Sequence, residues 1–364
     1  MKILKPLFLF GIFTLPIIGN AQWNRHRGKD NDDDDRTVYY KLERNDPTQS
    51  GLLGVSITPV YVDGHNLNFN IGGGAEFYYT FKSNFRLSGG YHFAYADNIT
   101  NDGGDGEPVG DWDSYGAPAK SKKLTRYNLM ASATLRSWQE VGSYHITLGK
   151  AGYNTVAVTR VRANVMKAIT SRIGYEYDTR SIQAKDGIQF KTTTPDYNYY
   201  YNGNTYKLNH DKMSMGSTMM QSNIALIGIG YTIFRDIKID LDDDEYTGRR
   251  EERSQTDLFF DVMYAAKIQL QDMLYYHGLQ TVTQESETLR QRLDVSATPL
   301  NKLGFRVGWQ VLGMRRWFGT KVLLEGGIRP GPKGEGITSN MFGQLTVGLA
   351  FGGRIAQKKE KEEE

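Results

Sequence analysis

A chain of 364 residues with no cysteine and a formal charge of only +3 has no disulfide framework, no N-terminal cysteine to acylate and no basic surplus for nucleic acid. Hydrophobic residues make up 39% of it, beside 40 Gly, 23 Tyr and 16 Phe, and its mean hydropathy is negative. That composition argues against helical repeats and transmembrane helices and favours aromatic-rich strands.

At the N-terminus, Lys2 and Lys5 precede an apolar run from Leu7 to Ile18, and Gly19-Asn20-Ala21 supplies small residues for signal-peptidase cleavage. Residues 1–21 are therefore expected to be an export signal. The run is shorter than the roughly 20 apolar residues that a spanning helix needs. Residues 22–50 are polar, with Asp32 to Asp35 between Arg27 and Arg36, and predict a periplasmic segment without a core.

From Gly51 the pattern takes period two, the period of a strand whose side chains point alternately to opposite faces. Phe85, Leu87, Tyr91, Phe93 and Tyr95 alternate with Arg86, Ser88 and His92, and Tyr127, Leu129, Ala131, Ala133 and Leu135 alternate with Arg126, Asn128, Ser132, Thr134 and Arg136. Leu258, Phe260, Val262, Tyr264 and Ile268 oppose Asp257, Asp261 and Lys267. Leu303, Phe305, Val307, Trp309 and Val311 oppose Gly304, Arg306, Gly308 and Gln310. Val322, Leu324, Gly326 and Ile328 then stand against Lys321, Glu325 and Arg329, and Met341, Leu345, Val347, Leu349 and Phe351 against Asn340, Gln344 and Thr346. Weaker copies lie at Leu53 to Tyr61, Phe69 to Phe81, Ile169 to Asp178 and Ser222 to Phe234.

About ten strands predict an all-β fold, a transmembrane antiparallel up-and-down β-barrel over residues 51–353. Twelve strands remain open, because Ser137 to Ala168 holds strand-like pieces at Tyr144 to Leu148 and Thr155 to Val165. A soluble β-sandwich also alternates. Charged residues at mid-strand, aromatics near strand ends and connections that alternate short and long favour the barrel. With both termini periplasmic, Asp97 to Lys123, Thr179 to Gln221, Gln269 to Asn301 and Arg329 to Ser339 face outward. Lys82 to Asn84, Ser137 to Ala168, Arg235 to Gln255 and Gly313 to Gly319 are the inner connections. Residues 354–364 form a charged periplasmic tail.

The signal ending Asn20-Ala21-Gln22, the tyrosine-rich outer loops and the aromatic-glycine strands resemble outer-membrane barrel proteins of the Bacteroidota. That resemblance implies a location in the cell outer membrane, in contact with its lipid and with periplasmic or outer-membrane envelope proteins. It implies no particular activity. Phe351 is followed by Gly352 to Glu364 rather than ending the chain, which departs from the terminal aromatic of many such barrels.

Polar-face charges are expected to line the lumen: Glu76, Arg86, Arg126, Arg136, Arg172, Glu176, Asp257, Asp261, Lys267, Arg306, Lys321 and Glu325. Both signs in a narrow barrel predict mutual pairing that closes the interior, with a narrow, porin-like transport pore as the alternative. A third reading compares Asp111, Asp113, His210 and Asp211 with the acidic and His/Asp pairs of the omptin proteases, although His210 and Asp211 are adjacent where the omptin pair is separated by one residue. Asp240, Asp242, Asp244 and Glu251 fit positions of a calcium loop, but Glu245 stands where glycine makes the turn. The six histidines are dispersed without ligand spacing. No cofactor is expected. The Tyr-rich stretch from Asp196 to Tyr206 suits either glycan or protein contact, or a loop folded over the mouth. The reading that results is a non-enzymatic structural or accessory barrel.

Overall fold

The computed structural model describes residues 40–49, 51–65, 68–97, 115–117, 124–150, 156–183, 190–192, 198–201, 204–207, 214–215, 217–242, 247–270, 273–278, 288–293, 295–297, 299–333 and 340–355. A short strand, β1 (Tyr40–Arg44), and a 3-10 turn (Pro47–Gln49) lead into ten long strands. These are β2 (Leu52–His65), β3 (Asn68–Phe81), β4 (Phe85–Asp97), β5 (Thr125–Lys150), β6 (Val156–Gln183), β7 (Ser217–Asp242), β8 (Thr247–Leu270), β9 (Leu303–Arg315), β10 (Phe318–Ile328) and β11 (Met341–Arg354). Each pairs antiparallel with its sequence neighbours, and β11 returns to β2, so the ten strands close into a barrel.

Side-chain alternation sorts the two faces of this wall. On β2, Leu53, Val55 and Ile57 are exposed on the outside while Ser56 and Thr58 are buried inside; on β11, Met341, Val347 and Leu349 are exposed while Gln344 and Thr346 are buried. Bulges correct the phase where strict alternation would fail. Pro59 and Val60 both face out, after which Tyr61, Asp63 and His65 turn inward.

Two further bulges move residues that the sequence pattern puts in the lumen. The β5–β6 register shifts between Thr134 and Arg136, and Arg136 is exposed rather than lining the interior. The β7–β8 register shifts between Asn223 and Ile224, so Ala265 is buried while Ala266 and Lys267 are exposed.

Four strands run well past the barrel wall. β4 leaves β5 at Ala133, β7 leaves β6 at Met166, and β9 leaves β8 at Glu252. Beyond those points β5 and β6 continue together to Lys150 opposite Val156, and β7 and β8 to Asp242 opposite Thr247. The strand-like pieces within Ser137 to Ala168 are thus one projecting hairpin and not two more barrel strands. Arg235 to Gln255 likewise belongs to a hairpin instead of an irregular connection. Both project from the end that carries the tight β3–β4 and β9–β10 turns. Lys82 and Ser83 turn the chain there with φ of 47° and 53°, the left-handed pair that hairpin turns use.

Residues 40–49 are structured, contrary to the expectation of a lead-in without a core. β1 pairs with β7 along Lys238 to Leu241, the edge that β6 has vacated. The chain then crosses toward the β3–β4 turn: the Asn164 amide donates to Asn45 Oδ1 (2.5 Å), and Ser83 Oγ donates to the Pro47 carbonyl (2.5 Å). At the opposite end, short strands from three different long connections (115–117, 214–215, 273–278 and 288–293) pair into a four-stranded sheet. The stretches 198–201 and 204–207 of the Tyr-rich connection form a hairpin.

Candidate functional site: the charged interior

The barrel encloses charged side chains, which are seldom fully buried unless paired. One unbroken ion-paired chain starts on β6, where Arg172 Nε lies 2.9 Å from Asp261 Oδ1 of β8. Asp261 Oδ2 accepts from Arg306 Nε of β9 at 2.8 Å, and Arg306 Nη1 lies 3.4 Å from Glu325 of β10. Arg126 Nη2 of β5 then bridges Glu325 (2.8 Å) and Glu176 (2.5 Å), and also bonds Gln344 through Nη1. Glu176 holds Arg329 at 3.0 Å, Arg329 holds Asp178 at 3.1 Å, Asp178 holds Arg180 at 2.6 Å, and Arg180 reaches Asp63 of β2 at 3.0 Å. Two pairs stand apart: Arg86 with Asp257, braced by Thr232, and Lys321 with Glu76.

Seven carboxylates (Asp63, Glu76, Glu176, Asp178, Asp257, Asp261, Glu325) face seven cations (Arg86, Arg126, Arg172, Arg180, Arg306, Lys321, Arg329). All but Arg172 are buried, and its side chain is only 10% exposed. Within this set of described residues the signs are equal in number, so each charge taken out of water has a counter-charge in the set. Rings pack against three of the cations: Phe259 lies beneath Arg172 (4.1 Å to its centroid) and Arg306 (5.5 Å), and Phe342 beneath Arg329 (4.3 Å). Gly308 leaves the space for Phe259, since a Cβ there would sit 2.2 Å from that ring.

Apolar layers lie at the barrel's ends. Leu52, Tyr78, Leu312, Met314 and Ala350 cluster toward the tight-turn end, and Tyr61, Ala94 and Leu124 toward the other. A shallow, solvent-open depression at the tight-turn mouth is lined by Leu52, Phe234, Met314 and Arg253, among others. Beside it, Arg44 of β1 donates to Asp236 (2.9 and 2.6 Å) and Glu251 (2.5 Å), and Arg253 also bonds Glu251.

Of the charges named from sequence, Glu76, Arg86, Arg126, Arg172, Glu176, Asp257, Asp261, Arg306, Lys321 and Glu325 come together inside, whereas Arg136 and Lys267 do not. Asp63, Asp178, Arg180 and Arg329 complete the network. Asp178 and Arg180 keep the parity of Arg172 and Glu176 and were open to that argument. Asp63 was hidden by the β2 bulge.

The described ends of the calcium template lie on paired strands. Asp240 is opposite Arg249, and Glu251 is opposite Lys238 and is held by Arg44 and Arg253. Asp244 and the Asp242 side chain lie outside the described residues, as do Asp111, Asp113, His210 and Asp211. Among the described residues no group of three or more acidic, His or Cys side chains is placed to hold a metal. No protein-family model matches this chain, and no curated protein matches it.

Proposed function

We propose that this chain is an outer-membrane β-barrel that serves as a structural or accessory component of an envelope complex, without enzymatic activity. The observation that carries the reading is the reversal of the two faces. Ile173, Ile227, Ile229 and Leu303 are each about 60% exposed on the outside (64%, 66%, 60% and 59%), while fourteen ionic groups are paired within. Water penalises that outer face, and hydrocarbon accommodates it. Exposed Phe81, Phe85, Trp317 and Phe318 gather at the tight-turn end, and Tyr91, Phe93, Tyr95 and Tyr127 toward the other, the arrangement of two interfacial girdles.

A filled, charge-balanced interior favours a scaffold over a conduit. The basic, apolar, small-residue order of residues 1–21 supports export, and the two projecting hairpins then stand on the periplasmic side. The test is reconstitution of the mature chain into liposomes whose acyl chains are brominated. Trp309, midway along β9 on its outward-facing parity, should be quenched more strongly than Trp317 at the turn, and the protein should float with the lipid. A chain that stays soluble without detergent and shows no quenching would overturn the reading.

A further inference from the structure

The two projecting hairpins treat their free edges differently. The edge of β7 left open by β6 is covered by β1, which adds as a strand and fixes itself with ion pairs of alternating sign: Glu43 with Lys238 (2.5 Å) and Arg249 (3.1 Å), and Arg44 with Asp236 and Glu251. The corresponding edge of β5 has no such cover. Among the described residues, backbone pairing to β5 on that side ends at Thr134, whose amide donates to the Asn84 carbonyl at 2.8 Å. Ser137, Gln139, Glu140 and Ser143 are exposed there, and Val141 is 71% exposed.

An open edge presents a row of unpaired N–H and C=O groups, and proteins usually blunt it with lysine, proline or a bulge. Between the bulges at Thr134/Arg136 and Thr147/Gly149, β5 has none of these. Its side chains are tied to one another and to the neighbouring strands: Trp138 Nε1 donates to Glu140 Oε1 (3.0 Å), Lys167 bonds the other carboxylate oxygen, and Trp138 lies beside Tyr231 (6.1 Å between centroids). Arg136 and Glu140 share one face of the strand, with Val141 on the other.

We propose that the outer edge of β5 from Arg136 to Ser143 is a docking site for an extended segment of a partner protein, which adds as a strand and places an acid opposite Arg136 and a base opposite Glu140. β1 shows the same chemistry at the sister edge, a short strand held by its backbone ladder and selected by charge. A second copy of this chain does not fit. Two barrels inserted alike in one membrane are related by an axis along the membrane normal, so their β5 strands would run parallel with identical groups at equal height. N–H would then face N–H.

This inference rests on the envelope-complex reading and is tested separately from it. A photo-crosslinking amino acid is placed at Gln139 or Val141, with Arg249 on the other hairpin as control, in the full chain expressed in its own cells. The expected result is an adduct at 139 and 141, absent at 249, whose cross-linked peptide maps by mass spectrometry to one segment of a different protein. Glu140→Lys, Arg136→Glu and Val141→Lys, each read in the position 139 background, should lower the adduct yield about tenfold, as like charges or an edge lysine oppose docking. Absence of adduct, an adduct of two copies of this chain, or yields indifferent to these exposed substitutions would overturn the proposal. Flotation of the same cell membranes reports independently whether the chain is in lipid.

Discussion

Arg126 bonds acceptors from three other strands, Glu176 of β6, Glu325 of β10 and Gln344 of β11, with its side chain fully buried. Removing it leaves six cations against seven carboxylates, with Glu176 keeping Arg329 and Arg306 and Glu325 keeping only Arg306. Arg126→Met should therefore cost about 3–5 kcal/mol, read as a lower urea midpoint in detergent. Adding Glu325→Gln alone to that variant should recover part of the loss, because six carboxylates then face six cations and Arg306 keeps Asp261 and Glu176. Phe259 gives a steric counterpart. Gly308→Ala pushes a Cβ into its ring and should destabilise by about 1–3 kcal/mol through overpacking, with the Arg172 and Arg306 stacking disturbed.

At the scale of elements, strand identity was legible because apolar and polar residues alternate for most of each barrel strand. Facing was legible only up to each bulge. Nothing in the composition around Leu135 or Ala266 marks the extra residue, so Arg136 and Lys267 read as interior although the register turns them out. The hairpin extensions read as connections because charge runs interrupt their alternation at Asp240 to Glu245 and Arg249 to Arg253, and because the alternation between Ser137 and Ala168 survives only in the pieces Tyr144 to Leu148 and Thr155 to Val165. β1 is too short for a periodic signal, with Tyr40, Leu42 and Arg44 on one parity and Lys41 and Glu43 on the other, and it pairs along the edge that β7 offers. Which charges pair was not legible either, because the partners lie far apart in the chain: Arg126 and Glu325 are 199 residues apart.

β1 carries its own prediction. The hydrogen bond from Lys238, with help from Arg249 and against the opposing effect of burial, holds the Glu43 carboxyl below its ordinary value of 4.5. A carboxylate lowered by folding contributes stability above its unfolded value and loses it as the pH falls through the folded one. The amide protection factors across Tyr40 to Arg44, corrected for the slowing of intrinsic exchange in acid, should accordingly fall as the pH drops below 4.5, before those of the barrel strands. Arg44→Ala should lower them at neutral pH and cost about 2–3 kcal/mol, less than a fully buried pair because Arg44 is partly exposed.

For the whole molecule, closure and filling act together. Ten strands with no free edge in the barrel wall give kinetic stability, and a balanced interior removes any single-sign path for ions. In planar bilayers the wild-type protein should show no stable conductance steps; regular steps would favour a narrow pore. The measurement closest to the central claim is gel mobility of the mature chain in detergent with and without boiling, recorded beside far-ultraviolet circular dichroism. The expected result is a β spectrum and a band that migrates differently until heated, as a closed barrel resists unfolding by detergent. A detergent-independent monomer whose mobility is the same before and after boiling would contradict a lipid-facing barrel with a charged interior.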